Sequence, residues 1–116
     1  MVNHRLHEEL KRIARAEEIA RYGQIAPILG LDMGNPNDRE KLSRLLSEIS
    51  EFEHQKGRPL LSAVVIHWND NTPGTGFFTL AGRLKKYDGG DRLKFFISEL
   101  RSVHEHWKAA DLARES

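Results

Sequence analysis

The stretch from Gly57 to Gly76 constrains the fold more than any other part of the sequence, because it joins the longest apolar run to a turn-rich loop. Its letters are GRPLLSAVVIHWNDNTPGTG. Residues 60–67 contain three β-branched side chains and are bounded by Pro59 and by polar turn residues, which is typical of a strand that is apolar on both faces. Such a strand needs cover on both sides and a partner for its backbone groups. We therefore predict a central strand in the interior, followed by an exposed loop over 68–76.

Amphipathic periodicity predicts several helices before this strand. An apolar stripe with charged residues opposite predicts a helix over 3–21, and YGQIA at 22–26 begins a second, shorter one. Asn37 and Glu40 have the spacing of a capping box. The longest helix is therefore predicted to start at residue 38 and to run to 56.

The segments after the strand predict a helical C-terminal part over 77–110. Residues 76–80 fit both a strand and a helical face, and we favour the helix. If they are helical, the central strand has to pair with a remote segment or across a dimer. The predicted fold is a single α+β domain over 1–116 that is mostly helical. Within it, 22–68 forms a winged-helix-like helix-turn-helix with a short central strand or hairpin, and a C-terminal amphipathic helix follows.

Composition excludes several classes of protein. Apolar residues make up 39% of the chain and charged residues 30%, and no stretch approaches the roughly 20 apolar residues of a membrane helix. The first ten residues contain no apolar segment typical of a secretory signal. The absence of cysteine excludes disulfides and thiolate chemistry. These features predict a cytoplasmic protein without a membrane partner. Because the net charge is only +1, any binding of nucleic-acid phosphates has to be local.

The six histidines do not form a metal-binding pattern. His104 and His106 lie two apart on a predicted helix, so they point about 200° from each other. Glu51 and His54 have a usable spacing but lack an evident third ligand. We therefore predict neither a metal nor a cofactor.

The sequence also lacks a catalytic signature. Ser62 and His67 are five residues apart on the predicted strand, so they lie on opposite faces and cannot meet. A small enzyme built around Arg58, His67 and Asp70 is the third and weakest functional interpretation, and we assign no catalytic residue.

Residues 22–66 resemble the DNA-binding half of the alkylguanine alkyltransferases and alkyltransferase-like proteins. The resemblance rests on YGQIA at 22–26, the long helix at 38–56 and the proline-then-strand segment at 59–66. It implies that the long helix enters DNA and that an alkyl-acceptor cysteine follows the proline. This chain has Leu60 and Leu61 there and contains no cysteine, so alkyl transfer is excluded and only a binding role carries over.

A second resemblance covers more of the chain. The combination of GRPLLSAVV with PGTGFF, from about Tyr22 to Trp107, is similar to a small family of uncharacterised bacterial proteins. It implies a bacterial or phage source.

These features favour a noncatalytic binding module of the winged-helix type that binds duplex DNA. The alternative is a protein-interaction module, such as an immunity, antitoxin or phage and host-defence factor, and a homodimer is compatible with either. The basic residues expected to contact DNA are Arg39, Lys41, Arg44, Arg58, Lys85 and Lys86. The residues expected to form an interaction loop are Trp68, Asn69, Asp70 and Asn71.

Overall fold

The protein is mostly helical, with 68% of its residues in helices. The computed structural model describes residues 2–67 and 71–115. In chain order its elements are α1 (His4–Arg15), β1 (Ala20–Arg21), α2 (Tyr22–Ile25), α3 (Pro36–Gln55), β2 (Val65–Ile66), α4 (Thr75–Arg83) and α5 (Arg92–Glu115), with 3₁₀ turns at Ala26–Leu29 and Leu61–Val64. The predicted α+β, mostly helical class is confirmed. Within the described ranges, no helix is long and apolar enough to cross a membrane.

The apolar run at 60–67 lies in the interior as predicted, but most of it is not a strand. Leu60 to Ile66 are buried and His67 is half-buried. The first half of the run forms the 3₁₀ turn Leu61–Val64, and only Val65 and Ile66 are extended in a sheet. The prediction of a strand over the whole octapeptide is therefore wrong.

Side chains from two helices explain why the run turns before it extends. Ser50 of α3 accepts a hydrogen bond from the Ser62 backbone N–H at 3.0 Å, and the two hydroxyls are 2.6 Å apart. Glu99 of α5 accepts from the Leu60 N–H at 2.7 Å. These partners satisfy backbone donors that would otherwise require a neighbouring strand. The hydrophobic pattern of the run carries no sign of these contacts.

The sheet consists of two short parallel strands. Ala20 pairs with Val65 and Arg21 pairs with Ile66. Because residues 75–83 form α4, the helical interpretation of 76–80 is confirmed. The central strand accordingly pairs with a remote segment of the same chain.

Two helix boundaries differ from the predictions. α1 ends at Arg15 instead of continuing to residue 21, because Glu17 adopts a left-handed conformation with φ of 58° and Ala20–Arg21 then enters the sheet. α3 begins at Pro36 instead of residue 38. Its cap is Asn35, whose side chain accepts from the backbone N–H groups two and three residues later, and proline suits the first helical position.

The hydrophobic core collects residues from every α-helix around the 60–66 segment. α1 contributes Leu6 and Leu10, and α3 contributes Leu42 and Ile49, all essentially without exposure to solvent. α4 and α5 complete the core with Phe77, Phe78, Phe96, Val103 and Trp107. The 60–66 segment is thus enclosed by helices, with one end at the turn after α3 and the other at the edge of the sheet.

Candidate functional site

Three basic side chains project from the amino-terminal half of α3. Arg39, Lys41 and Arg44 are exposed, and none belongs to the seven ion pairs found in the described part of the chain. A helix turns by about 100° per residue, so Lys41 and Arg44 share one face, whereas Arg39 lies about 140° from Arg44. The three charges therefore surround the first turns of α3 and do not form a single stripe.

Acidic side chains occupy the same helix end. Asp38 lies in the first turn, and its carboxylate accepts a hydrogen bond from the Asp32 N–H at 2.9 Å. Glu40 is exposed beside Lys41. A carboxylate near a helix amino terminus interacts favourably with the helix dipole. Asp38 and Glu40 therefore offset the positive end of the helix dipole of α3. Any attraction of this helix end for an anion has to come from Arg39, Lys41 and Arg44.

A second polar cluster lies at the carboxyl edge of the sheet. Because β1 and β2 are parallel, both strands end at this edge. Arg21 donates to the His67 carbonyl oxygen and to Asn71 Oδ1, each at 2.8 Å. The ring of Tyr22 stacks on that of His67, with 4.6 Å between the centroids and 27° between the planes. Arg21, which caps α2, and Tyr22, its first residue, thus hold the chain that leaves β2.

Gly74 packs against this aromatic pair. A Cβ atom at position 74 would lie 2.6 Å from His67 Nε2 and 3.3 Å from the Tyr22 hydroxyl oxygen. Burial raises the pKa of the Tyr22 hydroxyl above its ordinary value, and a hydrogen bond from the Gly74 backbone partly opposes that shift. The close approach explains why glycine stands immediately before α4.

The start of α4 lies beside the second turn of α3. A Cβ on Gly76 would be 3.0 Å from Ser43 Oγ, and further along the two helices Arg83 Nη2 lies 3.5 Å from Glu51 Oε2. The contacts follow the same order in both helices, so α4 runs alongside α3 in the same direction. Arg39 is one turn before Ser43 on that side of α3. Arg39 therefore lies on the side of α3 that is near the polar cluster at the sheet edge, whereas Lys41 and Arg44 lie about 160° and 140° from Arg39 around the helix.

The remaining predicted DNA contacts lie elsewhere. Arg58 follows the carboxyl end of α3, and Gln55 lies sixteen positions after Arg39, a distance of about 24 Å along the axis. Arg58 Nε donates to the buried Glu53 carboxylate. Lys86 donates to Glu99. Lys85 is exposed and adopts a left-handed φ of 63° just after α4. The six predicted residues do not form one compact site.

The residues of the enzyme interpretation are not brought together. Arg58 packs over Phe52 and Trp107, whereas His67 stacks on Tyr22 at the opposite end of the buried segment. Trp68, Asn69 and Asp70 lie outside the described residues, so three of the four predicted loop positions, and the third member of the enzyme group, receive no structural account. Asn71 is exposed, with φ of 57°, and accepts from Arg21.

Sequence reasoning missed the roles of Arg21, Tyr22 and Gly74. The sequence offers one indication of the roles of Arg21 and Tyr22, namely the short segment Ile19-Ala20-Arg21 between α1 and YGQIA. This segment is equally compatible with the end of a helix and with a short strand. Their meeting with His67 depends on parallel pairing between residues 45 positions apart in sequence, which no local pattern encodes. Throughout the described ranges, no group of three or more His, Asp or Glu side chains is arranged to hold a metal ion.

Comparisons of the chain with protein-family models, with curated proteins and with solved structures find no match. Any functional assignment therefore has to be argued from the geometry and charge described above.

Proposed function

We propose that this chain is a noncatalytic, winged-helix-like helix-turn-helix module that binds duplex DNA through the amino-terminal half of α3. One observation carries the proposal. Arg39, Lys41 and Arg44 are exposed, lie in no ion pair among the described residues, and cluster within the first turns of α3. Arg5, Lys85, Lys94 and Arg101 are also exposed cations without an ion pair in the described ranges, but they lie on or beside other helices. In a helix-turn-helix, the second helix contacts phosphates and base edges with its first turns, and α3 would be that helix here. Unpaired cations at this position suit such contacts.

The order of the elements supports the same proposal. α2 and the following 3₁₀ turn precede a tight turn and then α3, the arrangement in which a second helix is presented to the major groove. β2 pairs with β1 and not with a following strand. In this proposal His67 and residues 71–74, which contact Arg21 and Tyr22, take the place of the wing beside α3.

The test is the binding of a fluorescently labelled duplex of about 20 base pairs, followed by anisotropy. Affinity is expected on the order of micromolar at about 100 mM salt. Three phosphate contacts predict a slope of about −3 for log K against log salt. The variant Arg39→Ala/Lys41→Ala/Arg44→Ala is expected to lose about tenfold or more in affinity and to reduce that slope.

A matched control separates local contacts from net charge. Arg5→Ala/Lys94→Ala/Arg101→Ala also removes three exposed cations, but at positions on α1 and α5. It should bind close to wild type. Equal losses in the two triple variants, or no salt-dependent binding by the wild type, would contradict the proposal.

A protein-interaction module is the second candidate, and a separate observation favours it. Leu93 and Ile97 lie one turn apart on α5 with 54% and 46% of their surfaces exposed, and exposed apolar side chains at this spacing suit contact with another chain. Two results together would favour this candidate over DNA binding. The wild-type protein would not bind DNA at low salt, and it would sediment as a dimer that the Ile97→Asp substitution dissociates.

A further inference from the structure

An open groove of about 630 Å³ lies between the end of α3, the turn that follows it, and α5. Its polar lining is made up of His54, Arg58, Lys86, Glu99, Ser102, Glu105 and His106. The volume is within the range of small-molecule sites, roughly 300–1,000 Å³. The groove is distinct from the amino-terminal half of α3, since it begins at the opposite end of that helix.

Two cations in this groove are fixed in position by buried acids. Arg58 Nε donates to Glu53, which is fully buried and also lies 2.6 Å from His7 Nε2. Lys86 Nζ lies 2.5 Å from Glu99, and the same carboxylate oxygen accepts from the Leu60 N–H. The Arg58 and Lys86 side chains retain 27% and 26% exposure. Both side chains therefore line the groove and remain partly exposed to solvent.

The Arg58 guanidinium is oriented as well as charged. Its central carbon lies 5.8 Å from the centroid of Phe52 and 5.7 Å from that of Trp107. The hydrogen bond to Glu53 uses Nε, and the guanidinium makes no second hydrogen bond to a described side chain. The two terminal nitrogens carry four further N–H donors. A guanidinium whose terminal nitrogens remain available in this way can pair with the two oxygens of a carboxylate or phosphate.

The groove also has neutral donors and a shaped backbone. Gly57 adopts φ of 75°, which lets the chain reverse directly after α3 and places Arg58 against Glu53. His54 and His106 are half-buried on the groove walls. Each imidazole supplies an N–H donor in its neutral form. The two histidines thus add donors beside cations whose charge is already balanced by acids.

We propose that this groove binds the oxyanion group of a small molecule, with Arg58 as the bidentate donor and with Lys86 and the two histidines as further donors. This assignment goes beyond the proposed DNA contact and does not depend on it. It also gives Arg58 and Lys86 a role at the end of α3 that is far from the exposed cations Arg39 and Arg44.

The test is a ¹⁵N-edited NMR titration with inorganic phosphate and, separately, acetate, against chloride at matched ionic strength. Saturable shifts are expected at the Gly57 and Arg58 amides and the Arg58 Nε–H, with a dissociation constant on the order of millimolar. Tighter binding of phosphate would assign a phosphorylated ligand. Comparable binding of acetate would assign a carboxylate. Either result supports an oxyanion site.

Conservative substitutions are used so that a loss of binding can be distinguished from a loss of folding. Arg58→Lys retains the charge opposite Glu53 but loses the planar fork, and is expected to weaken binding about fivefold or more. His54→Gln/His106→Gln should weaken it about threefold. Arg101→Gln, an exposed change on α5 outside the groove, should have no effect. The proposal is overturned if phosphate and acetate cause no saturable shifts, or if folded Arg58→Lys binds as well as Arg101→Gln.

Discussion

Among single residues, Gly74 is required at the sheet edge because there is no room for a side chain at this position. The Tyr22 and His67 rings come so close to the Gly74 backbone that a methyl group there would overlap His67 Nε2. The φ of Gly74 is −68°, which any residue adopts. Space, and not backbone conformation, therefore requires glycine at this position.

Gly74→Ala is expected to lower the free energy of unfolding by about 1–3 kcal/mol, because the aromatic pair has to move to admit the methyl group. Gly23→Ala is the matched control. Gly23 lies in α2 with no atom within 4 Å of the Cβ it would gain, so alanine there should be neutral or stabilising by about 0.5–1 kcal/mol. Urea unfolding of both variants measures the difference, and equal effects would contradict this description of Gly74.

Tyr22 provides a prediction about alkaline pH. Burial raises the pKa of its hydroxyl above the ordinary value of 10.0, so the unfolded chain loses this proton first as the pH rises. The contribution of Tyr22 to stability is fully present below pH 10 and is lost as the pH rises through the folded-state pKa.

The free energy of unfolding of the wild type should therefore fall more steeply above about pH 10 than that of Tyr22→Phe, which lacks the titrating group. Denaturant unfolding over this pH range measures the slopes. A Tyr22→Phe protein with the same alkaline slope as the wild type would show that the hydroxyl is not desolvated.

At the scale of elements, α3 supports the buried 60–66 segment as well as presenting cations. Ser50→Ala would remove the acceptor of the Ser62 N–H and the partner of its hydroxyl, both inside the core. We expect a loss of about 1–3 kcal/mol in the free energy of unfolding, measured by thermal or urea unfolding. Ser47→Ala, one turn earlier and partly exposed, should change it by less than about 0.5 kcal/mol.

The double variant Ser50→Ala/Ser62→Ala refines this test. It removes both hydroxyls and leaves only one backbone donor without a partner, so it should recover part of the stability lost in Ser50→Ala. A Ser50→Ala protein as stable as Ser47→Ala would mean that the Ser50–Ser62 contact does not support the turn.

Local patterns predicted the helices better than the strands. Apolar periodicity correctly gave the long helix and the helical nature of 76–80, because one buried face per helix leaves a direct trace in the sequence. The interior position of 60–66 was also predictable from its composition. Its 3₁₀ turn was not, because the turn depends on Ser50 and Glu99, which lie on other helices.

At the scale of the whole molecule, the polar features separate into two regions. One comprises the exposed cations in the amino-terminal half of α3, with Arg39 on the side toward the Tyr22–His67 cluster at the sheet edge. The other is the groove beyond the carboxyl end of α3. Arg39 and Arg58 are both predicted from the sequence to contact DNA, although the predicted helix over 38–56 already separates them. Their separation of about 24 Å or more follows from the rise of α3 alone.

The most direct measurement of the central claim is the mapping of backbone amide shifts while an unlabelled duplex is added to the ¹⁵N-labelled protein. We expect the largest changes on residues 37–45 of α3 and on 71–76. These changes should weaken as salt is added, and the groove around Gly57 should be unaffected. Changes concentrated on α5, or spread evenly over all exposed basic residues, would contradict the assignment of α3 as the DNA-binding helix.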